Sequence, residues 1–368
     1  MGYHLLYPLF KYKDEFPIFK IFNLFQYITF RSVLAILTTL LLSFIFGPML
    51  IKYLRAKKIG QSIRELGPET HQIKSGTPTM GGLLIIGTTI VSILLWGRLD
   101  NKYIWLCVAA LVGFGLIGFI DDFKKLILKN TAGLKARYKV LLQILVAGAI
   151  ISVVYFTDTT AHKLSSQVFV PFISNPIFNM LWIFIPFGII MLIASSNAVN
   201  LTDGLDGLAI GCTLFVISAF AILTYLSGHV KIATYLKIPY VKDSAELAVF
   251  CAALIGSSLG FLWFNSHPAE VFMGDTGSLA LGGTLGTLAI IIKKELLLII
   301  VGGIFVAEAF SVILQVSYFK WKKKRIFLMA PLHHHFEMKG WQESKVIIRF
   351  WIIGIILAMV GLATLKIQ

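Results

Sequence analysis

The sequence predicts an all-α polytopic integral membrane protein with about ten transmembrane helices. Three observations carry this. Of its 368 residues 57% are hydrophobic and only 14% charged, whereas soluble domains run near ~25% charged. Mean hydropathy is +0.83. The apolar residues come in runs of about 20, long enough to cross a bilayer as a helix and too long for a strand. This composition excludes a disordered chain, a coiled coil and an ordinary soluble enzyme. The chain reads as a single membrane-embedded domain over 1–368 without an appended soluble domain.

Residues 1–30 are aromatic and mixed in charge, with no small-residue cleavage site, and read as an interfacial lead-in. Ten apolar runs follow, at roughly 31–54, 79–97, 103–120, 138–156, 177–195, 208–227, 246–264, 277–292, 295–319 and 346–365. Pro48 and Pro186 interrupt two of them, which membrane helices tolerate when neighbours satisfy the freed backbone. Cys107, Cys212 and Cys251 all lie inside runs, so neither a disulfide framework nor a thiol metal site is implied. Ten spans put both termini on one side. The net charge of +15 is read as topology rather than nucleic-acid binding. Loops after spans 1, 3, 5, 7 and 9 hold nineteen Lys and Arg, against twelve on the opposite side. The excess places the first set in the cytoplasm and both termini outside it.

Every unusual polar cluster also falls on that side. Asp121-Asp122, followed by Lys124, Lys125 and Lys129, reads either as a helix end facing water or as a base or divalent-metal site with lysines for phosphate. Asn197, Asn200, Asp203 and Asp206 recur every three positions beside Gly204 and Gly207, which points to one polar strip on a helical turn; capping is the plainer alternative. Asn265, His267 and Glu270 to Ser278 place Asp275 ahead of a helix start. Asp275 reads as an N-cap or as a Mg²⁺ carboxylate beside a phosphate-binding helix end, with Phe272 as a base-stacking ring or a membrane anchor. His333, His334 and His335 cannot all point one way, so this run alone is no three-His zinc site; diphosphate contact or proton transfer suits it. Lys74 to Gly82, which includes Thr79, suggests a turn with one lysine at its edge. Together the carboxylates, lysines, histidines and amides fit Mg²⁺-assisted phosphoryl chemistry on an anionic substrate and a lipid. No Walker-type glycine loop is present, so ATP hydrolysis is not indicated.

On these segments (KSGTPTMGG at 74–82, DDFKK at 121–125, NAVNLTDGLDG at 197–207, FMGDTGS at 272–278 and APLHHHFE at 330–337) the chain resembles the polyprenyl-phosphate N-acetylhexosamine-1-phosphate transferases. The last segment favours their phospho-N-acetylmuramoyl-pentapeptide branch. The resemblance covers length, spans and all five clusters in order. It implies that UDP-N-acetylmuramoyl-pentapeptide donates its phospho-sugar-pentapeptide to undecaprenyl phosphate, giving lipid I and UMP, with Mg²⁺, in the bacterial cytoplasmic (inner) membrane and often as a homodimer. Carried over by position, Asp275 is the metal ligand, Asp121 the base toward the lipid phosphate and Asp122 its support, with His333 also in the catalytic set. Lys74, Thr79, Asn197, Asn200, Asp203, Asp206 and Phe272 bind substrate. Lys125, Lys129, His334 and His335 contact phosphates or shape the site.

Two routes stay open at this point: direct in-line attack by the lipid phosphate, or a covalent phospho-sugar intermediate on an aspartate. The nearest rival function is transfer from UDP-N-acetylglucosamine. A secondary transporter is more remote, since its ionisable groups belong near the bilayer midplane, where only Glu308 falls.

Overall fold

The computed structural model describes residues 2–13, 17–57, 76–128, 133–158 and 164–366. The N-terminal stretch forms a short helix and two 3₁₀ segments. The long helices are α1 (Ile28–Ala56), α2 (Gly82–Trp96), α3 (Lys102–Leu128), α4 (Ala136–Phe156), α5 (Phe184–Thr202), α6 (Leu208–Ser227), α7 (Leu247–Asn265) and α8 (Gly274–Ile291). The short α9 (Glu295–Val301) and α11 (Leu332–Met338) flank α10 (Gly303–Lys322), and α12 (Glu343–Ala363) closes the bundle. The strand content among the described residues is one two-residue antiparallel pair, Gln167↔Asn179 and Val168↔Phe178.

Among the described residues eight helices are long and apolar enough to span a membrane, so the all-α polytopic expectation holds. Three apolar runs resolve differently from simple spans. Run 79–97 becomes the 15-residue α2. Run 277–292 becomes α8, almost wholly buried inside the bundle. Run 295–319 breaks at Gly302 into α9 and α10. Asp121 and Asp122, read as lying at a helix end, are on the last turns of α3, which runs on past the apolar run to Leu128.

Helix α8 is the hub, packed against α2, α3 and α5. Its glycines and small hydroxyl residues let neighbouring backbones come close, the usual device where lipid supplies no hydrophobic drive between helices. Helices α1, α4, α10 and α12 sit outside and keep most of their apolar surface outward. Buried polar pairs hold one end of the bundle. Arg31, 1% exposed, pairs with Glu246 through both carboxylate oxygens, donates to the Trp96 carbonyl at 3.1 Å and lies over the Tyr3 ring. This links the N-terminal segment, α1, α2 and the start of α7. Removing one partner of such a pair strands a buried charge. Glu246→Ala is therefore expected to cost about 3–5 kcal/mol, read as a lowered melting temperature in detergent.

Candidate active site

At the other end, hydrogen bonds tie together the segments that parity had grouped. Gly81 and Gly82 donate backbone N–H to the carbonyls of Phe272 and Met273 at 2.9 and 3.0 Å, and Phe272 N–H donates to Pro78 O at 2.8 Å. Gly207 N–H donates to Asn265 Oδ1 at 3.0 Å, and Asn265 Nδ2 donates to Val271 O at 2.9 Å. The loops before α2, after α5 and after α7 thus form one shell around the start of α8.

Two close backbone contacts set this geometry. A Cβ on Gly118 would lie 2.1 Å from the Asp275 carbonyl oxygen, so α3 rests directly on the first turn of α8. Gly274 has φ +72, a left-handed conformation that favours glycine, and a Cβ there would meet Asp122 Oδ2 at 2.7 Å. Gly118→Ala is expected to cost about 1–3 kcal/mol by overpacking and to reduce turnover, because Asp121 and Asp122 ride on the displaced helix. Melting curves and initial rates measured side by side check both. An unchanged melting temperature with full turnover would refute the contact.

Helix α8 has no side-chain cap of its own. Asp122 supplies one from α3: Oδ2 accepts from Thr276 N–H at 3.0 Å and Thr276 Oγ1 at 2.8 Å, and Oδ1 accepts from Asp275 N–H at 3.3 Å. Asp275, expected from sequence as either cap or ligand, is therefore free of capping and turned to the site. Its Oδ2 accepts from Lys139 at 2.7 Å and Lys125 at 3.0 Å, and its Oδ1 from Asn200 at 2.8 Å. Asp121 accepts from Leu134 N–H at 2.5 Å on Oδ1 and from Lys139 at 3.2 Å on Oδ2, with Lys125 3.1 Å away. Three carboxylates thus share two ammonium groups. Burial alone would raise the Asp275 carboxyl. The adjacent Asp121 carboxyl, then the charges of Lys139 and Lys125, outweigh it and hold Asp275 well below the ordinary carboxylate range. Asp203 goes the other way: enclosure, then the charges of Asp275, Asp122 and Asp206, push its carboxyl well above that range.

The remaining candidates separate. The four-residue polar strip does not stay on one face, because a 3.6-residue turn drifts 60° for every three residues and α5 ends at Thr202. Asn197 turns inward to Gln143 Oε1 at 3.0 Å and the Ile193 carbonyl, whereas Asn200 reaches Asp275. Asp206 lies in the loop, where Oδ2 meets His267 Nδ1 at 3.2 Å and accepts from Ala269 N–H at 3.1 Å, and its own N–H donates to Glu343 Oε1. Asp206, His267 and Glu343 bring three possible ligand atoms within 4.8 Å of one another. Thr79 is buried beside Gly274, and Phe272 is half-buried. The three histidines find three partners: His333 with Glu308, His334 with Glu337 at 2.7 Å, and His335 accepting from Leu328 N–H at 3.1 Å. Lys74 and Lys129 lie outside the described residues.

Sequence reasoning missed Lys139 and Glu343. Lys139 falls inside an apolar run and reads there as a boundary charge. A lysine one turn into an apolar helix, facing a carboxylate pair at the preceding helix end, is the signal that could have found it.

The glycosyl transferase family 4 profile matches residues 104–293, and the phospho-N-acetylmuramoyl-pentapeptide-transferase signature 1 matches residues 74–86. Two curated relatives, from Pelobacter propionicus and Citrifermentans bemidjiense, are each 50% identical to this chain over 368 residues, covering all of both chains. Each is named phospho-N-acetylmuramoyl-pentapeptide-transferase.

Proposed function

This chain belongs to the phospho-N-acetylmuramoyl-pentapeptide-transferase family, and from that premise we propose that it moves the phospho-sugar-pentapeptide of a UDP-activated donor onto undecaprenyl phosphate. An oxygen of the lipid phosphate bonds to the sugar-bearing phosphorus of the donor. The bond from that phosphorus to the UMP oxygen breaks, UMP leaves, and lipid I remains in the bilayer. The observation that carries this reading is the meeting of Asp121, Asp122 and Asp275 with Lys125 and Lys139 at one end of a membrane bundle.

Hard carboxylate oxygens are the donors that Mg²⁺ takes, and the low-lying Asp275 carboxyl suits such a ligand. Asp275 would hold the ion. When bound it would offset the diphosphate charge and polarise the phosphorus. Lys125 and Lys139, held against the Asp275 carboxylate, would meet the phosphate oxygens and neutralise charge that develops on them. Asp121 is the group to take a proton from the lipid phosphate. Asp122, with both oxygens committed to the start of α8, positions Asp275 and is poorly placed to act as a nucleophile, which favours direct attack over a covalent intermediate. Asp203, Asp206, Asn200 and Phe272 form the nucleotide side, and Lys74 and Lys129 are assigned to substrate binding by their motifs alone. Thr79, His334 and His335 lie along its margins, and Asn197 supports Asn200 through the packing of α5 on α4. The excess of Lys and Arg in the loops of this end supports its placement in the cytoplasm, in the bacterial inner membrane.

Purified protein given radiolabelled UDP-N-acetylmuramoyl-pentapeptide, undecaprenyl phosphate and Mg²⁺ should yield labelled lipid and UMP in equal amounts. Product from UDP-N-acetylglucosamine instead would move the chain to the other branch. Substrate uptake into vesicles without bond cleavage would end the transferase reading.

A further inference from the structure

Glu308 is a wholly buried carboxylate on the membrane-spanning α10, and the reaction as described leaves it unused. Ionisable groups are rare inside membrane spans and call for a named partner. The partner here is His333, also wholly buried. Glu308 Oε1 accepts from the His333 backbone N–H at 3.2 Å, and Oε2 lies 3.2 Å from His333 Nδ1. The first contact satisfies a free N–H at the start of α11, whose own cap residue, Pro331, supplies no side-chain acceptor. The second places a carboxylate oxygen beside Nδ1 without the alignment of a hydrogen bond.

The opposite ring atom is the informative one. His333 Nε2 is buried without a hydrogen-bond partner, and it faces Gly204, where an added Cβ would come within 2.3 Å of it. Gly204 sits between Asp203 and Asp206 in the turn that forms the nucleotide side. One turn pair further along α10, Gln315 fixes the same connecting loop, accepting from Ile326 and Phe327 N–H at 3.1 and 3.0 Å. Helix α10 therefore holds the segment that carries His333 at two points.

We propose that Glu308 is a positioning residue. It clamps the start of α11 and keeps the proton of the neutral His333 ring on Nδ1, so that Nε2 presents its lone pair to the Asp203–Gly204 turn. A carboxylate oxygen 3.2 Å from Nδ1 repels a lone pair there and so favours the tautomer that carries the proton on Nδ1. Glutamine has the same shape and reverses the preference: its oxygen serves the His333 backbone N–H, and its amide N–H then faces Nδ1 and moves the ring proton to Nε2. The inference rests on the transferase reading, since it concerns turnover of that reaction.

The test is a double-mutant cycle on the full-length protein, scored by lipid product, with the melting temperature of each variant. Wild-type activity is measured first, so that failure of the transferase reading shows up there and not in the cycle. Glu308→Gln is expected to fold and to lose about 10–100-fold in kcat, the scale of a lost supporting partner, with the KM for the UDP donor within about threefold. In a His333→Ala background, Glu308→Gln should add no further loss, because coupled residues are not additive. A folded Glu308→Gln with wild-type kcat overturns the proposal. So does a loss that multiplies independently of His333. If Glu308→Gln fails to fold, Glu308→Asp, which keeps both acceptors on a shorter stem, carries the same test: kcat falls at least tenfold, and an unchanged kcat overturns the assignment.

Discussion

Asp275→Asn is expected to abolish transfer, lowering kcat by about three orders of magnitude or more, while the protein keeps its fold. The stem of residue 275 packs in the first turn of α8, and asparagine fills the same space. It also keeps one acceptor oxygen for Lys139 or Asn200. What it loses is the negative charge that Lys139, Lys125 and the Asn200 amide hold in place. A metal ligand and its charge supply several kcal/mol of transition-state stabilisation, and each 1.36 kcal/mol is tenfold in rate. The accompanying signature is metal dependence. The Mg²⁺ concentration for half-maximal rate should rise steeply in the variant, and UMP binding without metal should be nearly unchanged. Turnover at the wild-type level would refute the assignment of Asp275.

Asp122→Asn should behave differently, because Asp122 is tied to backbone and hydroxyl groups of Asp275 and Thr276 rather than to the lysines alone. The loss there should include stability, since a capping carboxylate contributes about 0.5–2 kcal/mol and its removal unfastens the first turn of α8. A fall in melting temperature that accompanies the fall in rate identifies this role.

The contrast shows what a sequence can carry. The all-α polytopic class was legible because hydrocarbon thickness dictates the length of an apolar run that crosses a bilayer. The convergence of the loops around 78, 204, 272 and 333 followed from loop parity. Their division of labour did not. Asp121 and Asp122 are identical in sequence terms, yet neighbours on a helix point 100° apart; one faces Lys139 and Leu134, the other the N-terminus of α8. The partners of Arg31 and Lys139 lie 215 and 136 residues away, beyond any local pattern. The polar row from Asn197 to Asp206 was read as one face because three-residue spacing approximates a turn, and the end of α5 at Thr202 cut it. Nothing local in the run 295–319 distinguishes Gly302, where the helix breaks, from Gly303.

Asp121→Asn is expected to lower kcat by about 10²–10⁴-fold, the usual contribution of a general base, with little change in UDP-donor affinity. The pH dependence decides what Asp121 does. The second ionisation of a phosphate monoester lies near pH 6. Below that value the lipid phosphate must lose a proton to attack, and the base is needed. Above it the dianion forms unaided, so the deficit of the variant should shrink as the pH rises from about 5.5 to 8.5. If Asp121 instead serves only to hold Lys139 and Lys125 against Asp275, its loss weakens charge stabilisation equally at every pH, and the ratio of wild-type to variant kcat stays flat. A measured flat ratio would remove proton transfer from Asp121 and leave it an electrostatic anchor. A ratio that falls with pH would place the proton of the incoming lipid phosphate on Asp121, beside the ammonium groups that meet the charge it leaves behind.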